Sequence, residues 1–125
     1  MKVISIKQPW ATLILEGYKK YEFRSWKTKY RGELYIHASK TCDNKNMKRF
    51  EKMNLDFPIG MIIGKVTLDD CIELSQNFEE KLIKDKPLIY GHTKDRGGYA
   101  WKVSNPEYID FIQVNGKLGI WEYKN

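Results

Sequence analysis

Cysteine is scarce: Cys42 and Cys71 are the only two in the chain. They make no CxxC pair, and neither has a histidine at zinc-site spacing, which excludes a zinc finger and a dithiol redox centre. Two reduced, partly buried thiols fit a reducing compartment. Long hydrophobic runs are missing as well. Purely aliphatic stretches such as Met61-Ile62-Ile63 fall far short of the ~20 residues that cross a bilayer. Lys7 and Gln8 interrupt the apolar patch that follows Met1-Lys2, so no secretory leader is expected. The expected location is the cytoplasm, with no membrane contact. Carboxylates do not cluster. Asp69 and Asp70 are neighbours that would point to opposite faces of a strand, poor geometry for one metal. No metal and no cofactor are expected. Repeats, low-complexity tracts and Pro/Gly/Ser linkers are absent too. A chain of 125 residues is too short for two domains with good cores, so one domain over residues 1–125 is expected; the oligomeric state, a monomer or a larger assembly, is left open by the sequence.

What is present is an ordinary globular composition, with 42% apolar and 30% charged residues. The charge is unevenly placed. Residues 1–50 hold 12 Lys/Arg and 4 Asp/Glu, a net of +8, whereas residues 51–125 hold 10 and 12, a net of −2. A basic N-terminal half suggests an anionic partner. Four Trp and eight Tyr are enough to fill a core and leave some rings for stacking.

Periodicity gives the elements. Val3-Ile4-Ser5-Ile6 reads as a strand. Pro9 suits the first turn of a helix, Trp10, Leu13 and Ile14 recur at helical spacing, and Gly17 is a good stop. Residues 20–26 read as a strand with Lys20, Glu22, Arg24 and Trp26 on one face. After a turn at Tyr30-Arg31-Gly32, Leu34, Ile36 and Ala38 alternate with Tyr35, His37 and Ser39. A surface helix over residues 41–53, a long strand from Ile59 to Leu74 with bulges at Gly60 or Gly64, and an amphipathic helix over residues 76–86 follow. Asp95-Arg96-Gly97-Gly98 is a polar loop, and Tyr99–Val103 and Leu118–Tyr123 are closing strands. Several strands with two or three short helices make an α+β chain whose sheet curls into a small mixed barrel.

Ser5-Ile6-Lys7-Gln8-Pro9-Trp10-Ala11 resembles the opening of ASCH domains. Gly17, Lys19, Glu22 and Arg24 match that family's GxKxxExR pattern. Trp26, Tyr30-Arg31-Gly32 and Ile36-His37-Ala38-Ser39-Lys40 match in order and spacing. Tyr99-Ala100-Trp101 and Gly116-Lys117-Leu118-Gly119-Ile120-Trp121 resemble its last strands, so the resemblance spans the chain. It implies a PUA-like β-barrel with a cleft beside the first helix, where the motif residues meet RNA, a nucleotide or a modified nucleoside. The wider family includes RNA binders, coactivator modules, a ribonuclease and an amidohydrolase acting on N4-acetylcytidine, and fold resemblance does not choose among them.

The candidate ligand-binding residues are Lys7, Gln8, Trp10, Lys19, Glu22, Arg24, Trp26, Tyr30, Arg31, His37 and Ser39. Arg24 can hold a phosphate through a two-pronged fork. Glu22 can position Arg24, accept a base amino group or take a proton, and Lys19 and Glu22 are the catalytic pair if the chain is an enzyme. The same three charges can equally form a bracing ion network. Trp10 belongs to an apolar helix face, whereas Trp26 shares its face with Glu22 and Arg24 and suits base stacking. His37 lacks a Cys or Asp at triad spacing, and His92 is a loop residue that can help cover the cleft. The family's amidohydrolase branch relies on a Lys, a Thr and a Glu. The Lys corresponds to Lys19, but Glu22 stands at the Thr position and the Glu falls near Lys65, so the hydroxyl nucleophile is missing; Ser39 or Thr67 would have to replace it. Three functions therefore stay open: an RNA- or nucleotide-binding module, a hydrolase on RNA or a modified nucleoside, and a protein-interaction module.

Overall fold

A computed structural model describes residues 1–91 and 98–124. His92 and the Asp95–Gly97 part of the polar loop lie outside the described residues. Among the described residues, six strands form one curled sheet: β1 (Lys2–Ile6), β2 (Tyr21–Arg24), β3 (Gly32–Ala38), β4 (Met61–Glu73), β5 (Tyr99–Gln113) and β6 (Ile120–Glu122). Their order across the sheet is β2-β5-β4-β3-β1-β6. β1 and β3 pair in parallel, with Val3 opposite Tyr35 and Ser5 opposite His37; the other pairs are antiparallel. The helices are α1 (Trp10–Leu15), α2 (Asn44–Met47), α3 (Gln76–Asp85) and α4 (Pro87–Tyr90), with a 3-10 segment over Lys48–Met53. The expected surface helix over 41–53 is thus two short pieces. Among the described residues, no helix is long and apolar enough to cross a membrane.

α1 is local chemistry read out directly. Buried Gln8 turns its carbonyl oxygen onto the Thr12 amide at 2.9 Å and its amide onto Thr12 Oγ1 at 2.8 Å and the Pro58 carbonyl at 2.9 Å. The helix ends at Gly17, whose φ of +84° is open to glycine. Tyr18 and Lys19 then both bond back to the Leu13 carbonyl. The apolar face of α1 packs into two cores. Ala11, Ile14 and Leu15 meet Ile4, Ile6, Leu34, Ile36, Ile63 and Val66 on the sheet. Leu13 meets Phe23, Phe50, Leu82 and Tyr90 under the outer helices. Each fully buried Leu or Ile contributes about 1.5–3 kcal/mol.

α1 can lie this close because β4 carries Gly64, where a Cβ would stand 2.6 Å from Leu15 Cδ2 and 2.6 Å from the Glu107 carbonyl. Register against β5 shifts at the same point. Gly60 is not a bulge but the residue just before β4, at φ +73°. β5 runs ten residues past the strand expected at Tyr99–Val103. Its second half is mostly exposed, so no apolar alternation marks it. A third small core, Val3, Ile62 and Trp121, fills the far side of β1 and β3. The parallel pair is therefore covered on both faces, as parallel strands usually are.

Candidate functional site

An open cleft of about 610 Å³ lies between the C-terminal end of β1, strand β2, the start of α1 and the segment around α2. Six of the expected residues line it: Lys7, Trp10, Lys19, Glu22, Arg24 and Ser39. Alternation on β2 puts Glu22 and Arg24 on one face, and the glycine-terminated helix delivers Lys19 beside them. Lys19 is only 3% exposed. Its ammonium donates to the Tyr21 carbonyl and to Glu22 Oε1, the latter at 3.0 Å, and lies 4.9 Å from the Phe23 ring centre. Glu22 Oε2 meets Arg24 Nη2 at 3.1 Å. That nitrogen also donates to the Ser5 carbonyl at 2.5 Å. The bracing network and the cleft are thus one object. Arg24 Nε is shut from water with no hydrogen-bond partner among the described residues; a buried donor left so costs ~1–3 kcal/mol.

The opposite wall comes from the chain after β3. Asp43 caps α2, accepting from the Asn46 amide, and its Oδ2 takes the Trp10 indole N–H at 3.1 Å. Burial opposes ionisation of Asp43, but the bonds from the Asn46 side chain, Trp10 and the Asn46 backbone, with Lys7 nearby, hold its carboxyl below the usual range. Trp10 itself packs edge-on against buried Phe50 at 5.8 Å. It is a core residue with one flank on the cleft.

The remaining candidates go elsewhere. Gln8 is 0% exposed and engaged as a clamp on α1 by Thr12 and the Pro58 carbonyl. His37 is buried on the other side of the sheet. Its Nε2 lies 2.7 Å from the Val114 carbonyl, which fixes the proton on that nitrogen, and Nδ1 accepts from Ser5 Oγ at 3.1 Å. Burial pushes the imidazole pKa down, the Val114 bond raises it and Lys40 lowers it, for a net depression. Trp26 and Tyr30 line a separate depression, not the cleft. Arg31 braces its own loop by donating to the Thr28 and Tyr30 carbonyls. Lys65 pairs with Glu33 outside the cleft. Among the described residues, no group of three His, Cys, Asp or Glu stands close enough to hold a metal.

Several lining residues escaped the sequence reading: Ser5, Cys42, Asp43, Asn44 and the Lys117-Leu118-Gly119 turn. Gly116 and Gly119 flank Lys117-Leu118, a turn signal hidden inside what reads as a strand.

Comparison with known proteins adds the lineage. The family model described as "ASCH domain" matches residues 4–115. Activating signal cointegrator 1 of Homo sapiens is 34% identical over 106 residues, covering 70% of this chain and 18% of that protein. The Mus musculus counterpart is 34% identical over 132 residues, covering 95% of this chain and 22% of that protein. The chain thus spans about a fifth of the length of these curated relatives. Among solved structures, ASCH from Zymomonas mobilis superposes with a TM-score of 0.60 at 16% identity, covering 90% of this chain and 72% of the other. A Ser-to-Ala variant of that protein gives 0.56 at 16% identity, covering 90% and 73%. Those structures share the fold.

Proposed function

This chain belongs to the ASCH domain family, and from that premise we propose that it is an RNA- or nucleotide-binding module. Its cleft takes the anionic part of the ligand. One observation carries the reading. The cleft wall holds four cations (Lys7, Lys19, Arg24 and Lys117) against two carboxylates, Glu22 and Asp43. Both carboxylates already accept from protein donors. Lys7 and Lys117 make no ion pair among the described residues, so their charge is available to a phosphate. Arg24 is fixed through Nη2 by the Ser5 carbonyl and Glu22, which holds its delocalised charge in the cleft wall without rearrangement.

Hydrolysis finds less support. Each Glu22 oxygen is held by a cation, so a substrate hydroxyl would have to displace Lys19 or Arg24 to reach it. Ser39 lines the cleft, but Thr67 bonds to Asn105 on the β4–β5 ribbon instead.

The test is fluorescence anisotropy of an end-labelled single-stranded RNA at two salt concentrations, followed by a denaturing gel of the recovered RNA. Salt-sensitive binding with intact RNA is expected. Arg24→Ala should weaken binding by about tenfold or more, the worth of a hydrogen bond to a charged group, while the far-ultraviolet circular dichroism spectrum stays unchanged. Unchanged affinity in a folded Arg24→Ala protein would leave the three charges as bracing alone. Shortened RNA would move the assignment to a ribonuclease.

A further inference from the structure

The curled sheet has a seam. Among the described residues, β2 pairs only with β5, and β6 only with β1, so the two edge strands share no ladder. The bond from Arg24 to the Ser5 carbonyl ties β2 to β1 across it. A second depression, about 430 Å³, also has walls from both sides of the seam: Lys2, Trp26, Thr28, Tyr30, Gly119 and Ile120. Gly119 borders both it and the main cleft. Ser5 lines the first and Lys2 the second, three residues apart on β1, or roughly 10 Å at ~3.3 Å per residue.

The chain along this stretch reads Trp26-Lys27-Thr28-Lys29-Tyr30-Arg31, three cations interleaved with Trp26, Thr28 and Tyr30. Its backbone is built to hold still. The buried Thr28 hydroxyl accepts from the Tyr30 amide, Tyr30 donates to the Glu33 carbonyl, and Arg31 donates to two loop carbonyls. Trp26 is 36% exposed, yet its ring is fixed edge-on against Trp101 at 4.8 Å. Lys27 and Lys29 are exposed and make no ion pair among the described residues.

A fixed, partly exposed indole followed by two exposed lysines suits a stacked base and its neighbouring phosphates. We infer that this depression is a second base subsite, and that the ligand is a single strand of RNA lying along the seam, not a free nucleotide. A mononucleotide fills the cleft alone; only a chain reaches both. A duplex would not serve, because its base faces are already stacked. The inference rests on the cleft being a nucleotide site.

The test compares adenosine monophosphate with a hexa-adenylate RNA by anisotropy or titration calorimetry. The wild type should bind the hexamer at least tenfold more tightly than the mononucleotide. Trp26→Ala should cost the hexamer about tenfold and leave the mononucleotide unchanged. A Lys27→Glu, Lys29→Glu double variant touches no packed side chain, so it keeps the test valid if Trp26→Ala fails to fold; it should weaken the hexamer alone. Equal affinity for the two ligands, or a hexamer indifferent to both variants, overturns the second subsite. In that case, loss of both ligands in Arg24→Ala would still leave the cleft reading standing. Failure of both ligands to bind the wild type overturns both readings.

Discussion

Glu22 shows how a single residue does two jobs. It is buried, and its two oxygens are divided between Lys19 at 3.0 Å and Arg24 at 3.1 Å. Removing one member of a buried ionic set costs more than the set contributes, because the partners keep their charge out of water. Glu22→Gln should therefore destabilise the fold by ~3–5 kcal/mol in urea titrations, whereas an exposed control such as Lys52→Gln should change stability by less than ~0.5 kcal/mol. A second residue-scale effect belongs to His37. Its pKa in the fold lies below the ordinary value because burial disfavours the imidazolium. Between that depressed value and ~6.5 the unfolded chain binds more protons than the folded one. Stability thus rises with pH across this window, is complete above it, and is lost as pH falls through it. The melting temperature should drop between about pH 7.5 and about pH 5.5, and the drop should flatten in His37→Gln; an identical slope in both proteins would place the pH sensitivity elsewhere. Lys19, Glu22 and Arg24 could be brought together from sequence because strand alternation and a glycine helix stop are local rules. Trp26 broke the rule because β2 ends at Arg24. Past that point the two-residue period no longer fixes a face.

At the scale of elements, legibility followed burial. β1, β3 and β4 carry apolar residues on at least one packed face, and α3 has both its amphipathic period and its cap, Ser75 accepting from the Phe78 amide at 3.2 Å. The far half of β5 has neither signal. Asn105 sits at φ +51° and Pro106 follows it, both of which read as chain breakers. The strand persists because β4 supplies its ladder as far as Met61 opposite Gln113. His37 was read on the correct face of β3, opposite Ile36. What covers that face, Trp121 and the Val114 carbonyl, comes from the far end of the chain and leaves no local trace. The contact between α1 and β4 is the element on which the cleft depends, since α1 carries Trp10 and aims Lys19. Gly64→Ala should force Leu15 or the β4–β5 backbone to move, costing ~1–3 kcal/mol. Chemical denaturation should show the loss, and Leu15→Ala in the same chain should relieve part of it, since Leu15 Cδ1 and Cδ2 are the side-chain atoms the new methyl would strike. Strict additivity of the two changes would mean the strain lies against the Glu107 carbonyl instead.

For the whole molecule the decisive property is where the unneutralised charge lies. Part of the positive charge is already tied internally: Lys2 to Glu122, Lys19 and Arg24 to Glu22, Arg31 to Asp70 and Lys65 to Glu33. Phosphates bound by cations of that kind release fewer counterions, because the carboxylate is already there. Lys7, Lys117, Lys27 and Lys29 are the cations along the seam with no such partner among the described residues. If a strand follows the seam, those four set the salt dependence. Each phosphate they neutralise adds about −0.7 to the slope of log affinity against log salt for a single strand, so the wild type should show a slope near −3. The Lys27→Glu, Lys29→Glu variant should lose about 1.4 of it, and Lys7→Gln about 0.7, with the two changes additive because Lys7 lines the cleft and Lys27 and Lys29 do not. A slope near zero would mean that apolar contact drives binding, as in a protein-interaction module. A steep slope that the Lys27 and Lys29 changes do not touch would confine the phosphate path to the cleft, and would return the ligand to something the size of a single nucleotide.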